Sequence, residues 1–278
     1  MKIRFFGNRA GIPVPGPNTN KYGGNTYCFV VSNEAGQQLV INAGSGIRLA
    51  STLFQQNSIN GIHLLLSQNH WDHIQGFPFF EPIYDRHKTL FIYPPDQNDH
   101  HETAIMEQMA KSFSATKFHQ LPATITIKKT RFEGVEPVEV NGFNVQSIQV
   151  NHPEGGSAFK IEADGKTLII VTNNELFAPT SHCFHEFEEW SLFCSGADLL
   201  LHDGRFMNHE MVNKIGQGHS CIDDAMKLAT AAEIGMLGII GHDPNTDDEM
   251  IDQITQSLFE QRPEFSFFFA KEGRTMYV

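Results

Sequence analysis

The sequence is poor in several things that would narrow its class at once. Its four cysteines, Cys28, Cys183, Cys194 and Cys221, are spread over 278 residues with no Cys-x-x-Cys pair. That excludes a zinc knuckle, a dithiol redox motif and a disulfide scaffold, and leaves reduced, mostly buried thiols as the expectation. Basic residues are scarce: twenty Lys and Arg against thirty-two Asp and Glu give a net charge of -12. Such a surface opposes general attraction to nucleic acid, which needs cations to neutralise phosphates. Long apolar runs are missing too. The longest, 61–66 and 167–171, have the length of strands, so no transmembrane helix is expected. The first residues, Met1 to Gly7, are too soon interrupted to read as a signal peptide, and the expected location is cytoplasmic. Tryptophan and tyrosine are few, at two and five, whereas phenylalanine reaches twenty-three. Those rings are read first as core, with a pocket lining as the alternative.

What is present is a series of short β-branched and aromatic segments. Strands are expected at 2–6, 25–32, 38–43, 63–67 and 89–93, then at 125–130, 138–150, 158–163 and 167–172. Asp164-Gly165 between the last two reads as a hairpin turn, because both residues tolerate positive φ. A helix is expected over 99–112, where Ile105, Met106 and Met109 recur among polar residues. In the second half strands alternate with helices: strands at 199–202, 237–240 and 265–269, and helices beginning at Ser220 and spanning 247–261. Ser220-x-x-Asp223 reads as a capping pattern. Hairpins followed by alternation, in both halves, suggest an α/β architecture in which two mixed β-sheets pack face to face with helices outside. No linker or close repeat breaks the chain, so residues 1–278 are expected to form one domain. Residues 77–123, rich in Phe, His and Gln, look like an insertion suited to substrate contacts or an interface.

The segment richest in chemistry is Leu64-Leu65-Leu66-Ser67-Gln68-Asn69-His70-Trp71-Asp72-His73-Ile74-Gln75-Gly76. An apolar strand here runs straight into imidazoles and a carboxylate, which is how a rigid element presents ligands to a metal. Further segments of the same polar kind follow: Asn151-His152-Pro153, Thr172-Asn173-Asn174-Glu175, His202-Asp203-Gly204, Gly218-His219-Ser220 and Gly241-His242-Asp243. In these motifs, and over nearly its whole length, the chain resembles the metallo-β-lactamase superfamily, within it the ribonuclease-Z-like and phosphodiesterase-like branch. The resemblance implies a four-layer αββα sandwich and a two-metal site built on a His-x-His-x-Asp-His signature. Carried over position by position, His70, Asp72, His73 and His152 match metal ligands. Gln68, Asn173 and Gly241 stand where a histidine, the bridging aspartate and the last histidine would be, and Asn42 replaces a supporting aspartate. The resemblance also implies that Asp203 and His219 act as a proton relay to a leaving group.

An amide keeps the shape of a carboxylate but supplies no negative charge and ligates metals poorly. Two protein ligands then remain in each half-site, fewer than the three of an ordinary catalytic zinc site. If His242 rather than Gly241 closes the second half-site, then Asp72, His73 and His242 form a mononuclear 2-His-1-carboxylate site for one transition-metal ion, zinc, manganese or iron. Two readings stay open. One is an impaired or mononuclear hydrolase of phosphoester-like small molecules, with Asp72, Asp203 and His219 in its chemistry. The other is a pseudoenzyme without metal that binds a small molecule or a protein, with Gln68, Asn173 and Asn174 bonded to the surviving His and Asp side chains. A nucleic-acid-processing role is weaker, since the chain is acidic and carries no recognisable substrate arm. A homodimer through the Phe-rich insertion is a further expectation. Of the remaining histidines, His63, His100, His101, His119, His182, His185 and His209 are read as core or solvated side chains, and Ser45 as part of a tight turn.

Overall fold

The computed structural model describes residues 1–55, 61–95, 104–110, 112, 114–134, 136–261 and 263–278. The strands, in chain order, are β1 (Lys2–Gly7), β2 (Cys28–Ser32), β3 (Gln38–Ile41), β4 (Gly61–Leu65), β5 (Thr89–Tyr93), β6 (Thr124–Ile127) and β7 (Val138–Val140). They continue as β8 (Phe143–Gln149), β9 (Ser157–Ala163), β10 (Lys166–Val171), β11 (Leu199–Asp203), β12 (Met236–Ile240), β13 (Ser266–Phe269) and β14 (Thr275–Tyr277). The helices are α1 (Ile47–Ala50), α2 (Trp71–Ile74), α3 (Ala104–Glu107), α4 (Phe187–Cys194), α5 (Ile222–Ala231) and α6 (Asp248–Glu260). Among the described residues the strands form two seven-stranded sheets, in the orders β14-β1-β2-β3-β4-β5-β6 and β13-β12-β11-β10-β9-β8-β7. Each sheet is mixed, with antiparallel hairpins on one side and a parallel run, β3 to β6 or β10 to β13, on the other.

Strand alternation explains the layers, since successive side chains leave opposite faces. Phe5, Phe29, Ile41 and Leu65 from the first sheet meet Phe143, Phe159, Ile161 and Leu168 from the second in one buried cluster between the sheets. The outer face of the first sheet carries Val30, Val40, Leu64 and Ile92, covered by Ile47, Phe54, Phe77 and Phe80. The outer face of the second is covered by Trp190 of α4, Ala225 and Leu228 of α5, and Ile251 and Leu258 of α6. The result is the expected αββα sandwich, and the buried phenylalanines serve as its core. Phe77, Phe80 and Ile83, at the start of the presumed insertion, belong to that outer cluster, and β5 pairs inside the first sheet.

Several local expectations change. The strand over 138–150 is two strands, β7 and β8, folded on a hairpin at Asn141-Gly142, where φ is 50 and 78. Asn-Gly suits such a turn for the reason already applied to Asp164-Gly165, which does form its hairpin between β9 and β10. Ser220 does not cap α5: the N-cap is Cys221, while the Ser220 hydroxyl donates to Asn174 O at 2.7 Å and accepts from Leu176 N at 3.1 Å. The helix expected over 99–112 is described only in part, as α3, and residues 99–103 and 111 lie outside the described residues, His100 and His101 among them. Helix α4 and strand β14 were not foreseen. Among the described residues no helix is long and apolar enough to cross a membrane.

Candidate metal centre

Parallel strands place their carboxyl ends on one side, and the loops that leave them there are the natural place for a site. Gln68 and His70 follow β4, Asn173 follows β10, Asp203 ends β11 and Gly241 follows β12; His152, from the loop after β8, joins them. The structure therefore brings together every motif position except one. His242 takes no part: Gly241 has a φ of 77, and beyond it the His242 Nε2 donates to Ala270 O at 2.9 Å. Its ring lies edge-on to Tyr22 and close to Phe269. Closure of the second half-site by His242 is corrected on that ground.

The protons in the centre can be assigned from one fixed acceptor. A backbone carbonyl only accepts, so the Gln68 Nε2 that meets Gly155 O at 2.6 Å is a donor and Gln68 Oε1 is an acceptor. Asn173 Nδ2 donates to that oxygen at 2.5 Å and to His73 Nε2 at 3.0 Å, while Asn173 Oδ1 accepts from the Tyr27 hydroxyl at 3.1 Å. With Nε2 accepting, the His73 proton sits on Nδ1 and is donated to Ser67 Oγ at 3.1 Å. Ser67 Oγ in turn donates to Asn42 Oδ1 at 3.0 Å. Burial pushes His73 down to about 4, with Asp72 only partly offsetting it, so the ring is neutral near pH 7. Its approach to Asp72 Oδ1, at 3.7 Å, is then no ion pair. Asp72 instead accepts from Gly11 N at 2.7 Å.

A second circuit lies beside the first. Arg205 Nη1 donates to His219 Nε2 at 3.0 Å, because a guanidinium has no lone pair to offer, so the His219 proton is on Nδ1 and is donated to Asp203 Oδ2 at 2.8 Å. Arg205 Nε donates to Asp243 Oδ2 at 2.8 Å. The expected Asp203–His219 pair is thus formed, with an arginine on its far nitrogen that the sequence reading did not single out. His152 accepts from Glu154 N on Nδ1 at 3.1 Å, leaving its proton on Nε2. Burial first, and then the neighbouring His70 and His219 imidazoles, push it down to about 3. The His70 ring lies 4.9 Å from that of His152, and burial lowers His70 as well.

Glu175, passed over in the sequence, holds the loop that delivers His219. Its carboxylate is buried and accepts from Gly216 N at 2.9 Å with both oxygens and from Gly218 N at 2.9 Å. Glu175→Gln puts an amide NH2 against backbone donors, and a loss of about 2 kcal/mol is expected. Amide exchange at 216–218 and the urea midpoint measure it; unchanged protection there would refute the clamp.

A metal needs lone pairs where this centre presents protons. The His73 Nε2 lone pair is taken by the Asn173 amide, and His152 turns an N–H rather than a bare nitrogen outward. Among the described residues no group of three His, Cys, Asp or Glu side chains is arranged to hold a metal ion. The residues present do not fit the metal pair that the fold implies.

Residues 37–240 match a family described as the beta-lactamase superfamily domain. The chain belongs to that superfamily. Its fold is shared by the metallo-β-lactamase fold protein YhfI from Bacillus subtilis, 16% identical, with 99% of each chain covered and a TM-score of 0.70. Zn2+-bound PqqB from Methylobacterium extorquens is similar at 18% identity, with 100% of each chain covered and a TM-score of 0.71. The short form of human tRNase Z is 16% identical over 100% of this chain and 99% of its own, with a TM-score of 0.65. No curated protein matches the chain in sequence. The sequence signal that could have found Arg205 was its place two residues after Asp203.

Proposed function

We propose that this superfamily member is a metal-independent binding protein, its metal pair replaced by a hydrogen-bonded amide circuit and its pocket used to hold a small molecule. The observation that carries this reading is the Asn173 amide, whose two protons go to Gln68 Oε1 and His73 Nε2. A cavity of about 190 Å³ opens beside His70, between Gln68 and the 154–156 loop. Its lining of Gln68, Asn69 and His70 offers amide and imidazole groups to a polar ligand. Protein purified without added metal is expected to carry less than about 0.2 equivalents of transition metal, before and after loading with zinc, manganese or iron. It is expected not to turn over bis-p-nitrophenyl phosphate. Stoichiometric metal, with turnover abolished by His70→Ala, would overturn this reading.

The second reading, a hydrolase working with one metal or with an impaired site, is favoured by the Asp203–His219 hydrogen bond of 2.8 Å. A histidine oriented by a carboxylate suits proton transfer to a leaving group. In this arrangement Arg205 must first release His219 Nε2. The structures of a diphosphatase of the PhnP family and of yeast PDE1 share the fold, at 14% and 12% identity, and lend this reading its chemistry.

A further inference from the structure

The resemblance puts Gly241 where the superfamily's last metal-binding histidine would fall, and the space beside it is already taken. A Cβ added at Gly241 would lie 2.6 Å from the Tyr27 hydroxyl oxygen and 2.8 Å from Asp203 Oδ1. The left-handed backbone there, with a φ of 77, also disfavours any side chain. The Tyr27 ring is fully buried and lies 4.6 Å from the His73 ring, and its hydroxyl donates to Asn173 Oδ1 at 3.1 Å. One oxygen atom therefore meets Asn173 and the open side of Gly241, while its ring packs against His73.

We infer that Tyr27 occludes the second half-site: its ring and hydroxyl fill the volume that a metal and its last ligand would need, and its proton closes the amide circuit that replaces them. This rests on the metal-independent reading above. Asn173 and Gln68 are substitutions of donor type, which a point reversion can undo. Tyr27 acts through volume, and it makes the loss of the second metal independent of those amides.

The test counts zinc. Wild-type protein should bind none, and its thermal midpoint should be the same in zinc and in chelator. Gln68→His with Asn173→Asp rebuilds the first half-site around His70 and His152, and this variant should bind about one equivalent. Adding Tyr27→Ser should raise that to about two. Two equivalents with Tyr27 intact, or a folded triple variant without the second, overturns the inference and leaves the metal-independent reading standing. Zinc on the wild type overturns both. If the triple variant does not fold, Tyr27→Phe decides: it keeps the ring and removes only the proton donated to Asn173, and should lower the thermal midpoint by about 3 °C without any response to zinc. An unchanged midpoint would show that the hydroxyl is no part of the circuit and overturn the inference.

Discussion

Lowering the pH from 7 to 5 is expected to destabilise this protein by roughly 5 kcal/mol, more than most single substitutions achieve. Three buried imidazoles carry the effect. Burial pushes His73 to about 4, and pushes His242 to about 4 against the opposing hydrogen bond to Ala270 O. Burial and the neighbouring imidazoles push His152 to about 3. All three are less than a tenth exposed, so solvent does little to screen the shift. The sign follows from proton counting. Each folded value lies below the ordinary value of 6.5, so the unfolded chain takes up protons first as the pH falls. Stability is therefore fully present above about 6.5 and is lost on the way down towards 4, at up to about 1.4 kcal/mol per pH unit for each ring. Urea midpoints at pH 7, 6 and 5 measure the slope. His242→Gln, which keeps a donor for Ala270 O, should remove about a third of it. A midpoint that does not move between pH 7 and 5 would refute the assignment of these rings as buried and neutral.

Arg9→Met should be nearly as damaging, at about 4 kcal/mol. Arg9 is wholly buried, and its fork serves three backbone carbonyls: Gly23 O at 2.9 Å from Nε, and Asp243 O at 2.9 Å and Thr246 O at 2.6 Å from Nη1. Methionine fills much of the same volume but takes the donor from all three carbonyls, at about 1–3 kcal/mol for each one that is buried. Recovery of the guanidinium's own desolvation offsets part of that; burial is the largest influence on Arg9, and it lowers its affinity for the proton. Arg9→Lys should rescue little, because one ammonium cannot span Gly23 and Asp243–Thr246 as a planar fork does. The bonds join the segment at Gly23 to the turn after β12, so the loss should also loosen Asp243, the partner of Arg205. Chemical denaturation of wild type and the two variants decides. A Met variant within about 1 kcal/mol of wild type would mean that water satisfies those carbonyls.

The strands and the positions of the site were legible for the same reason. Short β-branched and aromatic runs and Asp-Gly turns are local signals, and candidate ligand positions sit at strand ends, so 63–67 running into Gln68 and His70 marked both the element and the place. The misses are of a different kind. Asn141-Gly142 carried a turn signal that was passed over inside an apolar stretch. Ser220 had the right residue for a cap, but its hydroxyl is engaged by Asn174 and Leu176, which are distant in sequence. Arg9, Tyr27 and Glu175 gave no local signal, because their partners lie 14 to 237, 146 and 41 to 43 residues away.

By itself the sequence determined the four-layer sandwich, through the alternation of its strands, and the donor types at the site, since residue identity alone says that Gln68 and Asn173 bring amides and Gly241 brings nothing. The tertiary structure decided what those donors face. In the amide circuit the direction of each proton descends from the Gly155 carbonyl through Gln68 and Asn173 to His73, and the fate of the second half-site depends on a phenol from β2's leading edge arriving beside Gly241. Hydrogen-bond direction and excluded volume are properties of groups brought together by folding, and no residue carries them alone.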